Sequence, residues 1–423
     1  MMRSLSLSAA LCAAMLSLLP AGASSAVLIP MDLQQTDHLK AYGVAYWALE
    51  KGYRVEWLLN YRSGSFNILD GGDDVVDECT YRGVTWEEVG GADLALVYKT
   101  IEEENMEVVL LEKAPEIALY APDNIQPWDD AVMLALEYAE IPYTIVWDEE
   151  VQAGELSRFD WLHLHHEDFT GQHGKFYASF RNAEWYREQE TYYQRLALEQ
   201  GFQSVSEQKK ASARAIAEYV ARGGFLFSMC SATDSFDIAL ASEGVDIVDT
   251  PYDGDPPEPG FQDRLDYSKC MAFTGFTLLT SPNVYEFSDV DMTEVTRLRP
   301  QEIDYFTLFE FAAKHDPVPA MLTQCHVNVV RGFMGQTTTF RRSLIKPYVT
   351  VLGDYPGSEE VKYIHANVGR GTFTFLAGHD PEDYRHMVGD PPTILSMHKS
   401  SPGYRLILNN VLFPAAKKKE RKT

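Results

Sequence analysis

The sequence is poor in cysteine. It contains 5 cysteines in 423 residues, and Cys12 lies within an apolar N-terminal segment. The others, Cys79, Cys230, Cys270 and Cys325, are too few and too widely spaced for a disulfide-rich scaffold. An oxidising compartment would still permit one bridge, and we expect it between Cys270 and Cys325.

Basic residues are also scarce. The chain has 36 lysines and arginines against 62 acidic residues, which gives a formal charge of -26. Such an excess of negative charge repels phosphate backbones and anionic lipids, so we expect neither nucleic acid nor a membrane surface as a partner. The expected partner is a small-molecule substrate: an amide, a sugar or a peptide.

Long apolar runs are confined to the N-terminus. Residues 5–19 are apolar, follow Arg3 and precede small residues at positions 21–26. This run is too short to span a bilayer and has the organisation of a signal peptide, so we assign residues 1–26 to a signal and expect an exported, periplasmic or extracellular protein. No later run reaches the ~20 apolar residues of a membrane span. Residues 416–423 form a predicted basic tail.

Glycine motifs for nucleotide binding are missing as well. The chain has no G-x-x-x-x-G-K-[ST] loop and no G-x-G-x-x-G after a predicted strand. We therefore expect no cofactor.

The sequence does contain a regular alternation of strand and helix patterns. Such alternation predicts parallel β-α-β crossovers and an α/β fold. Residues 27–57 form one predicted β-α-β unit, and residues 117–147 repeat its pattern at an offset of 90 positions. Residues 60–80 are rich in Gly and Asp and are predicted to be a loop.

The same patterns divide the chain after the signal. We predict an N-terminal α/β unit at residues 27–112 and a main α/β domain at residues 113–244 and 361–415. Residues 245–360 break the alternation and are rich in Pro and Asp near their start. They are predicted to be an irregular, β-rich insertion that rims or covers the edge of the main sheet.

A strand, a tight turn and a helix are predicted around Cys230. Residues 222–229 contain two glycines and an apolar run, and a helix pattern follows the turn. Such a turn lies at the carboxyl edge of a parallel sheet, where open α/β sheets bind ligands, and a helix start lowers a thiol pKa. Cys230 is therefore a candidate nucleophile, with Ser231 and Asp234 as candidate substrate contacts. The alternative is a small buried side chain.

His379 is the candidate base for this thiol. It follows a predicted strand at residues 372–377. If that strand runs parallel beside the Cys230 strand, both residues share one sheet edge. A base of this kind is steadied by a third group, and Glu382 or Asp380 is near enough in sequence to act as the acid. The alternative is a capping turn.

A third candidate is a short segment that is dense in histidine. Its polar side chains are His163, His165, His166, Glu167 and Asp168. His163 and His165 alternate with leucines, so they project to one face of a strand. A divalent metal is one alternative, with His379 or His386 completing the ligands, but no known zinc spacing is matched. We therefore predict no metal site and a polar pocket wall that binds substrate.

Several stretches resemble the ThuA-like branch of the class I glutamine amidotransferase-like superfamily. They are YVARGGF at 219–225, the run from GRGTF to GH at 369–379, YRLILNN at 404–410, and FDWL at 159–162. The resemblance covers roughly residues 115–240 and 360–415. It implies a flavodoxin-like, doubly wound and mainly parallel sheet. Cys230 matches the family's elbow cysteine, and His379 with Glu382 matches its His-x-Glu with one extra residue between.

The whole chain also resembles exported bacterial proteins that are often labelled asparagine synthetase B. The matching stretches are LIPMDLQQTDHLKAYG, WLHLHHEDFTG, MCSATDSFDIAL and GHDPEDY. That label would imply an N-terminal cysteine nucleophile and an SGGxDS-type ATP loop. Residues 231–235 lack the glycines of such a loop.

These observations leave three functions open. The first is a hydrolase or transferase that acts on an amide or related carbonyl through Cys230, His379 and an acid. The second is a non-catalytic protein of the cell envelope or periplasm that binds a sugar or peptide in the same pocket. The third is a metal-dependent hydrolase that uses the histidines.

Overall fold

A computed structural model of the chain describes residues 26–124 and 126–416. The predicted signal peptide and the basic tail fall almost wholly outside these residues. The described chain is a mixed α/β structure with two sheets. None of its helices is both long and apolar enough to cross a membrane.

The strands and helices of the described residues are numbered separately in chain order. The strands are β1 (Ala26–Ile29), β2 (Arg54–Leu59), β3 (Ser65–Leu69), β4 (Glu87–Val89), β5 (Glu107–Leu111), β6 (Ile117–Tyr120), β7 (Thr144–Val146), β8 (Trp161–Leu164), β9 (Phe225–Met229), β10 (Tyr305–Leu308), β11 (Val329–Arg331), β12 (Phe340–Arg341), β13 (Thr350–Asp354), β14 (Glu360–Val368) and β15 (Gly371–Leu376). The helices are α1 (His38–Glu50), α2 (Asp73–Arg82), α3 (Gly91–Glu103), α4 (Ala131–Ala139), α5 (Asp148–Gln152), α6 (Tyr177–Phe180), α7 (Glu184–Glu199), α8 (Val205–Arg222), α9 (Asp234–Ala241), α10 (Thr250–Asp253), α11 (Thr293–Thr296), α12 (Pro317–Leu322) and α13 (Pro402–Leu412).

The smaller sheet is antiparallel, with strand order β4-β1-β3-β2-β5. The prediction of a loop at residues 60–80 is wrong, because β3 and most of α2 lie there. All five residues of β3, SFNIL, are buried between β1 and β2. The Gly and Asp residues lie in the turns that flank this strand and in the first half of α2.

The larger sheet has a parallel half and an antiparallel half. Strands β7-β6-β8-β9-β15 are parallel neighbours in that order. Strand β15 then pairs antiparallel with β14, and β13, β10 and β11 continue outward. The parallel crossovers predicted from the alternation are confirmed. Residues 245–360 supply β10 to β13, so they extend the sheet as well as covering its edge.

The two segments with repeated sequence share their local structure. Each runs strand, helix, strand, as β1-α1-β2 and as β6-α4-β7. Their helices pack so closely that a Cβ atom on Gly43 of α1 would lie 1.8 Å from the backbone oxygen of Ala139 in α4. Strands β6 and β7 pair directly, whereas β3 separates β1 from β2. The strand, helix and strand of the predicted N-terminal unit are therefore present, with β3 inserted between its two strands.

Two apolar cores lie on opposite faces of the large sheet. Along β8 the side chains alternate between them, with Trp161 in one core and Leu162 in the other. Cys325 packs against the first core and Cys270 lies in the second. Both thiols are free, so the predicted disulfide is wrong, because the sheet separates its two cysteines.

Candidate functional site

The carboxyl ends of four parallel strands deliver polar residues to one edge of the large sheet. Asp130 follows β6, His165 follows β8, Cys230 follows β9 and His379 follows β15. Strand β15 lies parallel beside β9, as expected, and the backbone N–H of Cys230 donates to the Gly378 carbonyl at 3.1 Å. This is the edge where open α/β sheets bind ligands.

The histidines of the β8 segment face each other, as their alternation predicts. His163 Nε2 lies 3.2 Å from His165 Nδ1. Both rings are fully buried and lie beside Asp130, whose Oδ1 is 3.2 Å from His165 Nδ1 and 3.5 Å from His163 Nε2. The same carboxylate caps α4 by accepting from the backbone N–H of Val132 at 2.7 Å. Asp130 therefore ties the start of a helix to two buried imidazoles.

His379 joins this cluster from the neighbouring strand. Its Nδ1 lies 3.2 Å from His165 Nε2, and its Nε2 lies 3.0 Å from the carbonyl oxygen of Asp129. The His386 ring stacks on the His379 ring at a centroid distance of 3.7 Å. His386 Nδ1 in turn lies 3.1 Å from a carboxylate oxygen of Asp383.

The hydrogen-bond roles in this chain of rings conflict at one contact. The Asp129 carbonyl only accepts, so His379 Nε2 carries the proton and His379 Nδ1 is a lone pair. The Asp130 carboxylate likewise requires the proton of neutral His165 on Nδ1, which leaves a lone pair on His165 Nε2. Two lone pairs then face each other across 3.2 Å. With these tautomers, the contact needs either an additional proton on one of the two rings or a metal ion.

The pKa values of the two rings differ. Burial lowers the pKa of His165, but attraction from Asp130 and further carboxylates outweighs burial and raises it above its ordinary value. Burial, together with repulsion from His165 and His386, holds the pKa of His379 well below its ordinary value. Without a metal, a proton at this contact would therefore belong to His165.

A third ring, His166, converges on the same point. Ligand atoms of His165, His166 and His379 all lie within 4.8 Å of one another. His166 Nδ1 is buried without a hydrogen-bond partner among the described residues, and His166 Nε2 lies 3.5 Å from Glu167. Each of the three rings thus has a carboxylate or a carbonyl behind it, which is the usual arrangement around a metal-bound histidine.

A pocket of about 670 Å³ opens beside these rings, and its volume suits a small-molecule ligand. His166, His379 and His386 line it, as does Cys230. Residues 176–180 and the insertion at residues 245–360 supply much of the remaining wall. These wall residues include Phe176, Phe180, Tyr285, Arg297 and Gln336.

Cys230 lies in the pocket wall in a strained conformation. Its φ is +49°, in the left-handed region that non-glycine residues rarely adopt. Backbone N–H groups of Ser231 and Gln336 lie near the sulfur, yet burial outweighs them and raises the pKa of the thiol to about 12. The helix start does not lower the thiol pKa as the sequence suggested, because the surroundings exclude water.

The predicted arrangement of Cys230, His379 and an acid is not assembled by hydrogen bonds. Both ring nitrogens of His379 face other partners. Glu382 pairs with His398 at 2.9 Å, and Asp380 accepts from the backbone N–H of Glu382 at 2.8 Å. Neither acid orients His379 in this structure. Asp129 holds that position, because it precedes a helix at the same sheet edge.

Six of the seven predicted substrate contacts, all except His166, lie outside the walls of the large pocket. Asp168 accepts from the backbone N–H groups of Thr170 at 2.7 Å and Gly174 at 3.1 Å. Asp234 accepts from the hydroxyl of Thr337 at 2.8 Å. Ser231 is fully buried. These contacts anchor loops beneath the pocket, so of the predicted β8 residues only His166 reaches its surface.

Sequence reasoning missed Asp129 and Asp130. In the sequence the helix pattern of this unit extends back to Trp128 and hides both acids inside it, whereas α4 begins at Ala131. One signal was available: an acid pair between a buried strand and a helix lies at the same edge as Cys230. Asp130 is also a favoured residue type for a helix N-cap.

Comparisons with known proteins give no family. No protein-family model matches the chain, and no curated protein matches it. Among solved structures, cytoplasmic protein STM1381 from Salmonella typhimurium LT2 aligns with a TM-score of 0.36 and 12% identity, over 71% of this chain and 100% of its own. Cytoplasmic protein STM3548 from Salmonella typhimurium gives 0.32 and 10%, over 72% and 100%. Gan42B, a GH42 β-galactosidase from G. stearothermophilus, gives 0.27 and 12%, over 62% and 27%. Likenesses at these TM-scores carry no inference about this chain.

Proposed function

We propose that the protein is a metal-dependent hydrolase whose metal ion is held by His165, His166 and His379. The observation that carries this proposal is the 3.2 Å contact between His165 Nε2 and His379 Nδ1, on which the ring of His166 also converges. Ligands around tetrahedral zinc lie about 3.4 Å apart when each zinc–nitrogen bond is about 2.05 Å. A shared proton would satisfy this pair alone. The third converging ring, His166, favours a metal.

Three histidines with one open position are typical of catalytic rather than structural zinc. His166 and His379 line the pocket, so a metal ion held by this cluster would lie beside the pocket. A metal ion held by these three histidines would supply a water of lowered pKa and would polarise a bound carbonyl. The reaction would be hydrolysis, in which water adds to the carbonyl carbon and the bond from this carbon to the leaving nitrogen or oxygen breaks.

His386 is the proposed carrier of the proton in this step. It lines the pocket beside His379, and the Asp383 carboxylate lies 3.1 Å from its Nδ1. A carboxylate behind one ring nitrogen orients the other toward the reacting groups. His386 accepts the proton that the attacking water releases and returns it to the leaving group.

Zinc content and turnover test this proposal together. Purified protein is loaded with zinc, dialysed and analysed by mass spectrometry of the metal, and turnover is measured on p-nitroanilides and p-nitrophenyl esters. We expect one zinc per chain and chelator-sensitive turnover, with zinc lost in His165→Ala and His379→Ala. The exposed His315 gives a matched control, because His315→Ala removes an imidazole outside the cluster. Wild-type protein without zinc would refute the metal site. Bound zinc without turnover would indicate a non-catalytic protein that binds metal.

A second candidate is the cysteine mechanism of the class I glutamine amidotransferase-like superfamily. The positive φ of Cys230 at a strand–turn–helix junction favours it, since nucleophile elbows are strained in this way. The parallel strand order β7-β6-β8-β9-β15 supports a flavodoxin-like sheet, which follows the order 2-1-3-4-5. Rapid alkylation of Cys230 with loss of turnover would favour this mechanism over the metal.

A further inference from the structure

The pocket differs in charge from the protein around it. The chain carries 62 acidic and 36 basic residues, yet the residues that line the pocket include three arginines and no carboxylate. Arginine is the residue type best suited to planar anions, because its guanidinium donates two parallel hydrogen bonds. The contrast with the acidic surface indicates an anionic ligand.

The three arginines are not equally available. Arg299 is bound to two carboxylates, those of Asp304 at 2.6 Å and of Glu360, so its charge is already neutralised. Arg297 pairs at 2.6 Å with Glu294, and both side chains are exposed, so water screens this pair strongly.

Arg385 is the available cation of the pocket. It is exposed, and it forms neither an ion pair nor a hydrogen bond with any residue within 26–124 or 126–416. It directly precedes His386, whose ring stacks on His379. An anion on Arg385 therefore lies in the same pocket as the proposed reacting centre.

Aromatic rings form another part of the same pocket. Trp128 stacks on Phe176 at a centroid distance of 5.2 Å, and Tyr285 lies 6.0 Å from Phe176. All three line the pocket. Aromatic side chains bind a flat ring of a ligand through offset-stacked or edge-to-face contacts.

We propose that the substrate is an anion with a flat, largely apolar body, whose carboxylate or phosphate group binds Arg385. Its ring lies against Trp128 and Phe176, and this arrangement directs the bond to be cleaved toward His379. The inference rests on the proposed function for the role of the bond, but anion binding itself requires no metal.

Binding of small probes to the full chain after chelation tests the anion site alone. Hippurate carries an aromatic amide and a carboxylate, N-benzoylglycinamide is its neutral counterpart, and phenyl phosphate carries a phosphate. Calorimetry gives each affinity, and quenching of tryptophan fluorescence reports contact with Trp128. We expect at least one of the two anions to bind about tenfold or more tightly than the neutral amide, because a charged group adds a charge-assisted hydrogen bond. The tighter of the two anions identifies the headgroup.

Arg385→Gln should abolish this preference. Arg222→Gln is the matched control, because Arg222 is an exposed arginine at the end of α8 that pairs with Glu218 at 2.9 Å, away from the pocket. Equal affinity for hippurate, phenyl phosphate and the neutral amide would overturn the inference, and so would an unchanged preference in Arg385→Gln. Zinc content is measured separately. Absence of anion selectivity in a protein that binds zinc would refute only the anion site. Anion selectivity in a protein that binds no zinc would refute only the metal site.

Discussion

The histidine cluster and the Cys230 turn lie at the same sheet edge, and each contributes side chains to the wall of the same pocket, yet they differ in electrostatics. The cluster gathers His163, His165, His166 and His379 around Asp129 and Asp130. The turn holds one strained thiol in surroundings that raise its pKa to about 12. Proximity to a pocket therefore does not by itself make a residue reactive.

The two regions differ in the polar groups that contact the imidazole rings and the thiol. Every ring that faces the proposed metal position has a carboxylate or a backbone carbonyl at its other nitrogen. Cys230 has backbone N–H groups near its sulfur, but burial outweighs them. Nearby Lys362 does not activate the thiol, because burial lowers the pKa of Lys362 to about 7 and its Nζ donates to the carbonyl of Thr338 at 2.9 Å.

Single alanine substitutions are expected to give the largest difference in zinc content and turnover between the two regions. His379→Ala should remove the zinc and lower turnover about a thousandfold or more, since metal catalysis contributes several kcal/mol at ~1.4 kcal/mol per tenfold. Cys230→Ala should retain zinc and most turnover. Zinc analysis and steady-state kinetics on both variants provide the measurement. Loss of turnover in Cys230→Ala, with turnover retained in His379→Ala, would favour the cysteine mechanism.

Alkylation rates compare the thiol with an ordinary one. A thiol pKa of about 12 leaves very little thiolate at neutral pH, so iodoacetamide should modify Cys230 about a thousandfold more slowly than a free thiol. The rate should rise roughly tenfold per pH unit until the fold is lost. Peptide mass spectrometry after timed labelling resolves Cys230 from the other cysteines. Fast labelling at pH 7 would contradict the buried, neutral thiol.

The role of Asp130 is separable from helix capping. Asp130→Asn should weaken zinc binding by about 10–100-fold, because the carboxylate fixes the proton on His165 Nδ1. Asp37 is the matched control: it caps α1 through the backbone N–H of Lys40 at 3.0 Å, in the corresponding unit of the repeat. Asp37→Asn should leave the zinc affinity unchanged. Equal losses in both variants would mean that Asp130 acts only through the helix.

A smaller effect concerns the pH dependence of stability near the Cys230 turn. The pKa of Lys362 is about 7 in the folded chain, against ~10.4 when unfolded. Between these values the unfolded state binds the extra proton, so this group makes stability rise with pH above about 7. Lys362→Met should flatten that rise by up to about 1.4 kcal/mol per pH unit.

Urea unfolding at several pH values between about 7 and 9 checks this effect. The slope with pH is the quantity compared, because the substitution also leaves the Phe333 and Thr338 carbonyls without the lysine donor. An unchanged slope would mean that Lys362 stays charged beside Cys230. The thiol would then have a cation to stabilise its charged form.

The sequence predicted the local elements of the site well. The alternation of His163 and His165 with leucines predicted that both rings project from one face of β8. The strand–turn–helix pattern predicted that Cys230 lies at the end of a strand. Both predictions depend on side chains that alternate along a strand or follow its end, which is local geometry. Strand β3 was missed because the flanking glycines and acids masked a short buried run.

Pairing between distant segments was not predictable in the same way. The β1-α1-β2 and β6-α4-β7 units read alike, yet only the second pairs its strands directly. The choice depends on β3, which supplies a third buried strand to the first unit alone. Likewise the sequence predicts that His379 acts on Cys230, 149 positions away, because both residues follow strands at one sheet edge. In the structure the two ring nitrogens of His379 contact His165 and Asp129 instead.

By itself the sequence determined an α/β chain with a polar carboxyl edge, because strand and helix periodicities and the residues at strand ends are local properties. Only the tertiary structure decided which of those residues meet. A hydrogen-bond role is set by the atom opposite, and at His165 and His379 these atoms come from three separate strand ends. The facing lone pairs, the neutral thiol and the available arginine all follow from that assembly.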